Sequence, residues 1–417
     1  MFQKKWLTRY AALYLAVAIA GALLLYLTGL LPQDRVRANL CTSALQFEQE
    51  GQFPYLFNSL SDAYRVDAYS ESLILNHAYF MDTRTSPVSI VQNPSYRDGW
   101  HPVDSLLKLA QDENLAANSE RSHYWLGFRA VVRPLLTLMP YQDIRGVVSA
   151  AFFAFFLCAA FLLYQQAGLR AAACLALTIV VMNPVIVSTS LQYSCCFFLA
   201  FAGIIAVCRL HRRPIALYAV FLLLGQLTQY FDFYTAPIIT WGLPFVALLS
   251  IRREPLTFRK GMAQLGLTLG LWAGAYAGMW LMKMILTTLF TEENGFAIFS
   301  HFLYYTGVTE AAAGQVRYSL WGALSLCLAN VFTPANILLL SVCLTGLIVC
   351  WLAHRRELVL GGRAVWCCAV VAALPVIWLL CASQASGRHS YFQYRTLTAS
   401  VFAGLMFVTQ LFDRKKA

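Results

Sequence analysis

The sequence predicts an all-α protein, a polytopic bundle of about ten membrane-spanning helices. Three observations carry this. Of its 417 residues, 59% are hydrophobic and 12% charged, about half the charged fraction of a soluble domain. Apolar runs near or above the length that crosses a hydrocarbon core of about 30 Å recur along the chain. Short basic segments separate them, and 13 of the 20 acidic residues fall in one polar stretch, 32–145. The chain therefore reads as one integral membrane domain, 1–417. Residues 32–145 form an extracytoplasmic loop between the first and second spans, and 291–335 a second extracytoplasmic segment.

The first span is 10–31. Lys4, Lys5 and Arg9 followed by an apolar run suit a signal peptide, but the run continues to Leu31, longer than a signal core of about 7–15 residues. We therefore expect a retained span. The others are 146–165, 171–187, 193–208, 214–230, 236–250, 261–290, 336–353, 364–381 and 393–411. Ten crossings return both termini to one side. The clusters around Lys4, Arg170, Arg209, Arg252, Arg355 and Arg414 hold 17 basic residues against Glu254, Glu357 and Asp413. This bias makes that side cytoplasmic in a multi-pass protein of the cell membrane. It also accounts for the net charge of +11 through orientation, with no nucleic-acid partner.

Two pairs are tight. Residues 171–208 and 214–250 must each cross twice, leaving about 17 residues, or about 25 Å, per span. Their outer tips, near Ser188–Tyr193 and Phe231–Pro237, are expected to lie below the membrane surface in a recess, where irregular backbone needs protein or water around it. Span 261–290 is long enough to tilt or to rise out of the bilayer.

Within the first loop, Tyr124–Leu138 is apolar and aromatic, with Arg129 and Arg133 on one helix face. This suggests an interfacial helix. In the second segment, Leu320–Phe332 is apolar but too short to span. Eleven of the 12 cysteines lie in apolar runs and Cys41 is alone in the loop, so we expect no disulfide there and no thiol metal site. No P-loop, GxGxxG, HExxH or GxSxG motif occurs.

Several groups are candidates for chemistry. Asp67 and Glu71 stand four apart after Asp62; on a helix they repel, which raises one pKa toward that of a general base. Asp232 sits at a sunken tip, where a carboxylate needs a cavity or a partner. Lys283 lies inside a span, poised to snorkel or to meet an anion such as Asp232. Arg317, Arg388, His389 and Arg395 lie on the outer side against the positive-inside bias, which an anionic lipid headgroup or phosphate would explain.

Together these features resemble the GT-C superfamily of polytopic glycosyltransferases. The segments RSHYWLGFRAVVRPLL, FDFYTAP, AYAGMWLMKM and HSYFQYRTL also look like blocks recurring in a family of uncharacterised bacterial membrane proteins of that type. The resemblance implies transfer of a sugar from a polyprenyl-phosphate-type lipid donor to an envelope polysaccharide or glycolipid acceptor on the extracytoplasmic face. It implies Asp67 as base, Glu71 or Asp62 in support, and membrane lipid and lipid-linked sugar as partners. The GT-C hallmark is a pair of neighbouring acids in the first outer loop. Here the only adjacent pair there is Asp112-Glu113, far from the first span. No cofactor is certain; a divalent metal remains possible by the resemblance, though no ligand set is assigned. Arg395, Arg388 and Lys283 would hold the phosphate, Asp232 would orient the acceptor, and Arg129, Arg133, Arg317 and His389 complete the substrate-binding set. Two other readings stay open: a lipid or glycan transporter or flippase, and a non-catalytic membrane protein of envelope assembly.

Overall fold

The computed structural model describes residues 4–57, 59–232, 234–251, 257–299, 303, 306, 316–354, 358–360 and 365–414. Glu310, His301 and the basic residues at 252–253, 355–356, 363 and 415–416 lie outside them. The described chain is almost wholly helical. Among the described residues six helices are long and apolar enough to cross a membrane: α1 (Lys4–Gly29), α7 (Tyr141–Ala167), α10 (Leu191–Leu210), α11 (Pro214–Phe231), α13 (Phe258–Phe290) and α15 (Pro334–Ala353). The helices α8 (Leu169–Val181), α12 (Ile239–Ile251), α14 (Leu320–Val331) and α16 (Val365–Cys381) are apolar but shorter. The chain is therefore a helical, multi-pass membrane protein.

Local chemistry sets the helix ends. Pro opens α11 and α15 at the first turn, where its missing N–H costs nothing. Gly168, at φ +82°, separates α7 from α8. Ser190 caps α10 by accepting from the Tyr193 amide. The segment expected as one span at 171–187 is broken: Asn183 takes a left-handed φ of +54° between α8 and α9 (Pro184–Ser188). Asn336 of α15 satisfies the freed Val181 carbonyl at 2.8 Å and that of Val331 at 2.8 Å. This is how irregular backbone is accommodated at depth.

Between α1 and α7 lies a small helical layer: α2 (Gln33–Glu50), α3 (Ala68–Tyr79), α4 (Ser89–Gln92), α5 (Pro102–Gln111) and α6 (Arg129–Leu136). Val36, Leu40, Ala44 and Phe47 recur at helical spacing on α2 and pack against Leu75, Leu106 and Leu136. A two-residue pairing of β1 (Pro94–Ser95) with β2 (Ser119–Glu120) closes its loops. The larger core belongs to the membrane body, where α10 packs between α7 and α12 and α11 lies along α13. The chain closes with α17 (Ser383–Arg388), α18 (Ser390–Gln393) and α19 (Thr398–Leu411).

The outer layer leans on α13, whose 33 residues reach about 50 Å, well beyond a hydrocarbon core. Trp125 donates to the Met279 carbonyl at 2.8 Å, Lys283 to Val91 at 2.7 Å, and Thr287 to Ser122 at 2.6 Å. Gly127 meets α11 so closely that a Cβ there would sit 2.3 Å from the Tyr230 ring, while its amide donates to the Tyr230 carbonyl at 2.9 Å.

Candidate functional site

Asp67 is the N-cap of α3. Its Oδ1 accepts from the Ser70 amide at 2.9 Å and its Oδ2 from the Ser70 hydroxyl at 2.8 Å. The side chain is wholly buried where the outer layer meets the membrane body. Across that seam, Tyr391 of α18 donates to Oδ2 at 3.4 Å. Burial pushes the Asp67 carboxyl above the usual range, opposed by the bonds from Ser70 and Tyr391 and by the charge of Arg65.

Tyr391 also ties in two cations. Its carbonyl accepts from Arg395 Nη1 at 3.0 Å, and its ring lies 4.8 Å from the Arg65 guanidinium, which also covers Phe53 at 4.3 Å. Arg395 is wholly buried, stacked on Tyr193 at 4.0 Å and Tyr394 at 4.7 Å. Among the described residues its Nε and Nη2 have no hydrogen-bond partner, and neither do Arg65 Nε nor the Tyr193 hydroxyl. Asp67, Arg65 and Arg395 thus meet at Tyr391, and the two guanidinium groups keep unpartnered nitrogens. Buried donors left this way are rare and ask for a ligand or water.

Glu71, one turn along α3, serves the seam differently. Its Oε1 accepts from the Ser190 hydroxyl at 2.6 Å and the Gln192 amide at 3.2 Å, and its Oε2 from the Tyr141 hydroxyl. These bonds bind α3 to the starts of α7 and α10. Burial raises its carboxyl to about 7 against those bonds and the nearby Arg145. Arg145 is in turn paired with Glu50 at 2.8 Å. The sunken tip near Ser188–Tyr193 is therefore roofed by the outer layer, and the expected recess is filled there.

Other candidates lie elsewhere. Arg133 directs all five donors inward: to Thr28 in the last turn of α1 and Leu31 just beyond it, to Ala78 and Tyr79 at the end of α3, and to Gln33. Arg129 donates to the carbonyls of Ser89, Ile90, Trp125 and Leu126. Burial lowers their pKa values to about 10 and about 9. Both clasp helix ends from the buried face of α6, while Val131 of that helix and Leu138 just after it are exposed. Lys283 is 1% exposed and neither snorkels nor reaches Asp232. Asp232 accepts from the Thr235 amide at 2.9 Å, in a loop where Tyr234, at φ +59°, is held by Gln229 and Gln393. Asp62 accepts from Tyr55 at 2.7 Å and lies 3.6 Å from Arg65. His389 stacks on Phe392 at 5.2 Å, and burial lowers its imidazole to about 4. Arg317 and Arg388 are exposed.

Sequence reasoning did not single out Arg65, Tyr193 or Tyr391. Arg65 was findable, two residues before Asp67 in the same polar run. Among the described residues no three His, Cys, Asp or Glu side chains group as metal ligands. The described residues do not fit a divalent ion. No protein-family model, curated protein or solved structure matches the chain.

Proposed function

We propose that the chain is a GT-C-like membrane glycosyltransferase that moves a sugar from a polyprenyl-phosphate-type donor to a cell-envelope acceptor outside the cytoplasm. It would cross the cell membrane about ten times, with both termini cytoplasmic. One observation supports this above the others: a wholly buried carboxylate, Asp67, shares Tyr391 with a wholly buried guanidinium, Arg395, that keeps two nitrogens unpartnered. In this reading Asp67 accepts the proton of the acceptor hydroxyl as its oxygen bonds to the anomeric carbon. The bond from that carbon to the phosphate oxygen breaks, and its electron pair stays on the phosphate. Arg395, with Arg65 beside it, stabilises the charge that develops there, and low dielectric strengthens the effect. A raised Asp67 pKa suits the role, since a base nearer the working pH transfers protons more efficiently. Lys283, Arg129 and Arg133 are engaged in joints and fall outside this mechanism; Arg388 and Arg317, on the surface, are left for lipid headgroups.

The test is a mass-spectrometric profile of lipid-linked and envelope glycans in cells with and without the protein. The transferase reading expects loss of one sugar unit and accumulation of its polyprenyl-phosphate donor. An intact glycan with its precursor held on the inner leaflet identifies a transporter instead. Donor and glycan both unchanged leave an assembly role.

A further inference from the structure

The described residues 53–57 and 59–65 form a strap with an apolar tip. Its limbs are joined by the Leu56 amide donating to Tyr64 at 3.1 Å, the Val66 amide to Pro54 at 2.8 Å, and the Tyr55 hydroxyl to Asp62 at 2.7 Å. Its tip presents Leu56, Phe57 and Leu60 at 47, 60 and 83% exposure. Residues 56–61 carry no charge. Large apolar side chains grouped on a braced turn mark a contact surface.

The strap's position identifies what covers it. Ser61 donates to Asn330 at 3.3 Å, near the end of α14, and the turn Asp62–Tyr64 packs on α14 and α18. Three residues past α14 begins α15, which buries almost nothing and exposes Ile337, Leu338 and Val342. A helix apolar all round and unburied within its own chain faces lipid. The strap is thus pinned at Ser61 to the end of α14, from which the chain runs through Phe332, 48% exposed, into the lipid-facing α15.

We propose that the strap inserts Leu56, Phe57 and Leu60 into the bilayer leaflet on the side of the 32–145 layer. The occupant is lipid hydrocarbon: the tip is pinned beside the residues that lead into the lipid-facing α15, and residues 56–61 offer no charge to a protein partner. The other end of the strap carries Phe53 and Arg65, which stack at Tyr391 beside Asp67. Lipid contact at the tip thus fixes Arg65 in the seam. This proposal does not depend on the transferase reading.

The test places p-benzoylphenylalanine at Phe57 or Leu60 of the full chain by codon suppression, followed by irradiation in native membranes and intact mass measurement. Leu338 on α15 serves as the lipid-facing reference and the exposed Asn114 as the aqueous one. The expected result is a mass gain of one phospholipid at positions 57, 60 and 338 and none at 114. The proposal is overturned if 338 gains lipid while 57 and 60 do not. It is overturned equally by attachment of another protein at 57 and 60, or by lipid at 114 to the same extent.

Discussion

Asp67 and Glu71 show what one residue's surroundings can do. Their spacing suggested that mutual repulsion would raise a pKa. Both are raised, but burial is the first cause for each, and they bond to different groups across the seam. Glu71 carries a pH consequence. Its carboxyl rises from 4.5 to about 7, so its contribution to stability is complete below the unfolded value and is lost as pH rises through 7. The ceiling on that loss is on the order of 3 kcal/mol. Glu71→Gln keeps the shape and removes the titration. Thermal unfolding in detergent should show the native protein losing stability from pH 5 to pH 8, and the variant a flatter profile. An equal slope in both would place the titrating group elsewhere.

Arg133 marks a limit of sequence reasoning at the same scale. Its helical register with Arg129 was legible, but not its role, because its partners are mostly backbone carbonyls about 55 to 105 positions away. Main-chain acceptors leave no mark in a sequence. Lysine keeps the charge but cannot reach five acceptors. Arg133→Lys should destabilise by about 2–4 kcal/mol, given about 1.5–3 kcal/mol per bond to a charged donor and partial compensation. Thermal unfolding at constant pH checks it; a loss near zero would mean that water satisfies those carbonyls.

At the scale of elements, the ten apolar segments fall on helices, though 171–187 is divided between α8 and α9 and six of the described helices are long enough to cross a membrane. Breaks within elements were harder to see. The kink at Asn183 depends on Asn336, which lies on another helix. The joint at Gly127 shows the same dependence: its need for glycine comes from the Tyr230 ring, over 100 residues distant. Gly127→Ala should cost about 1–3 kcal/mol through overpacking and loosen the outer layer from α11. Limited proteolysis of 32–140 at native temperature reads that loosening directly. Unchanged cleavage would show that the joint can give way without loss.

At the scale of the whole molecule, the sequence marked a polar layer on an apolar body, and composition alone separates them. The seam between the two was only half visible. Asp67 and Arg395 were chosen independently for charge and place, and the fold puts both on Tyr391. Tyr193 and Tyr391 escaped notice because stacking and shared hydrogen bonds arise only when α3, α10 and α18 meet.

In the proposed transferase Asp67 acts as the base of this seam. Cells that lack the protein are complemented with Asp67→Asn at equal membrane abundance, and the sugar unit is followed by mass spectrometry. Loss of a positioned general base costs about 10²–10⁴-fold, so the sugar unit should stay missing and its lipid-linked donor should accumulate. A profile restored to that of cells carrying the native protein would contradict it.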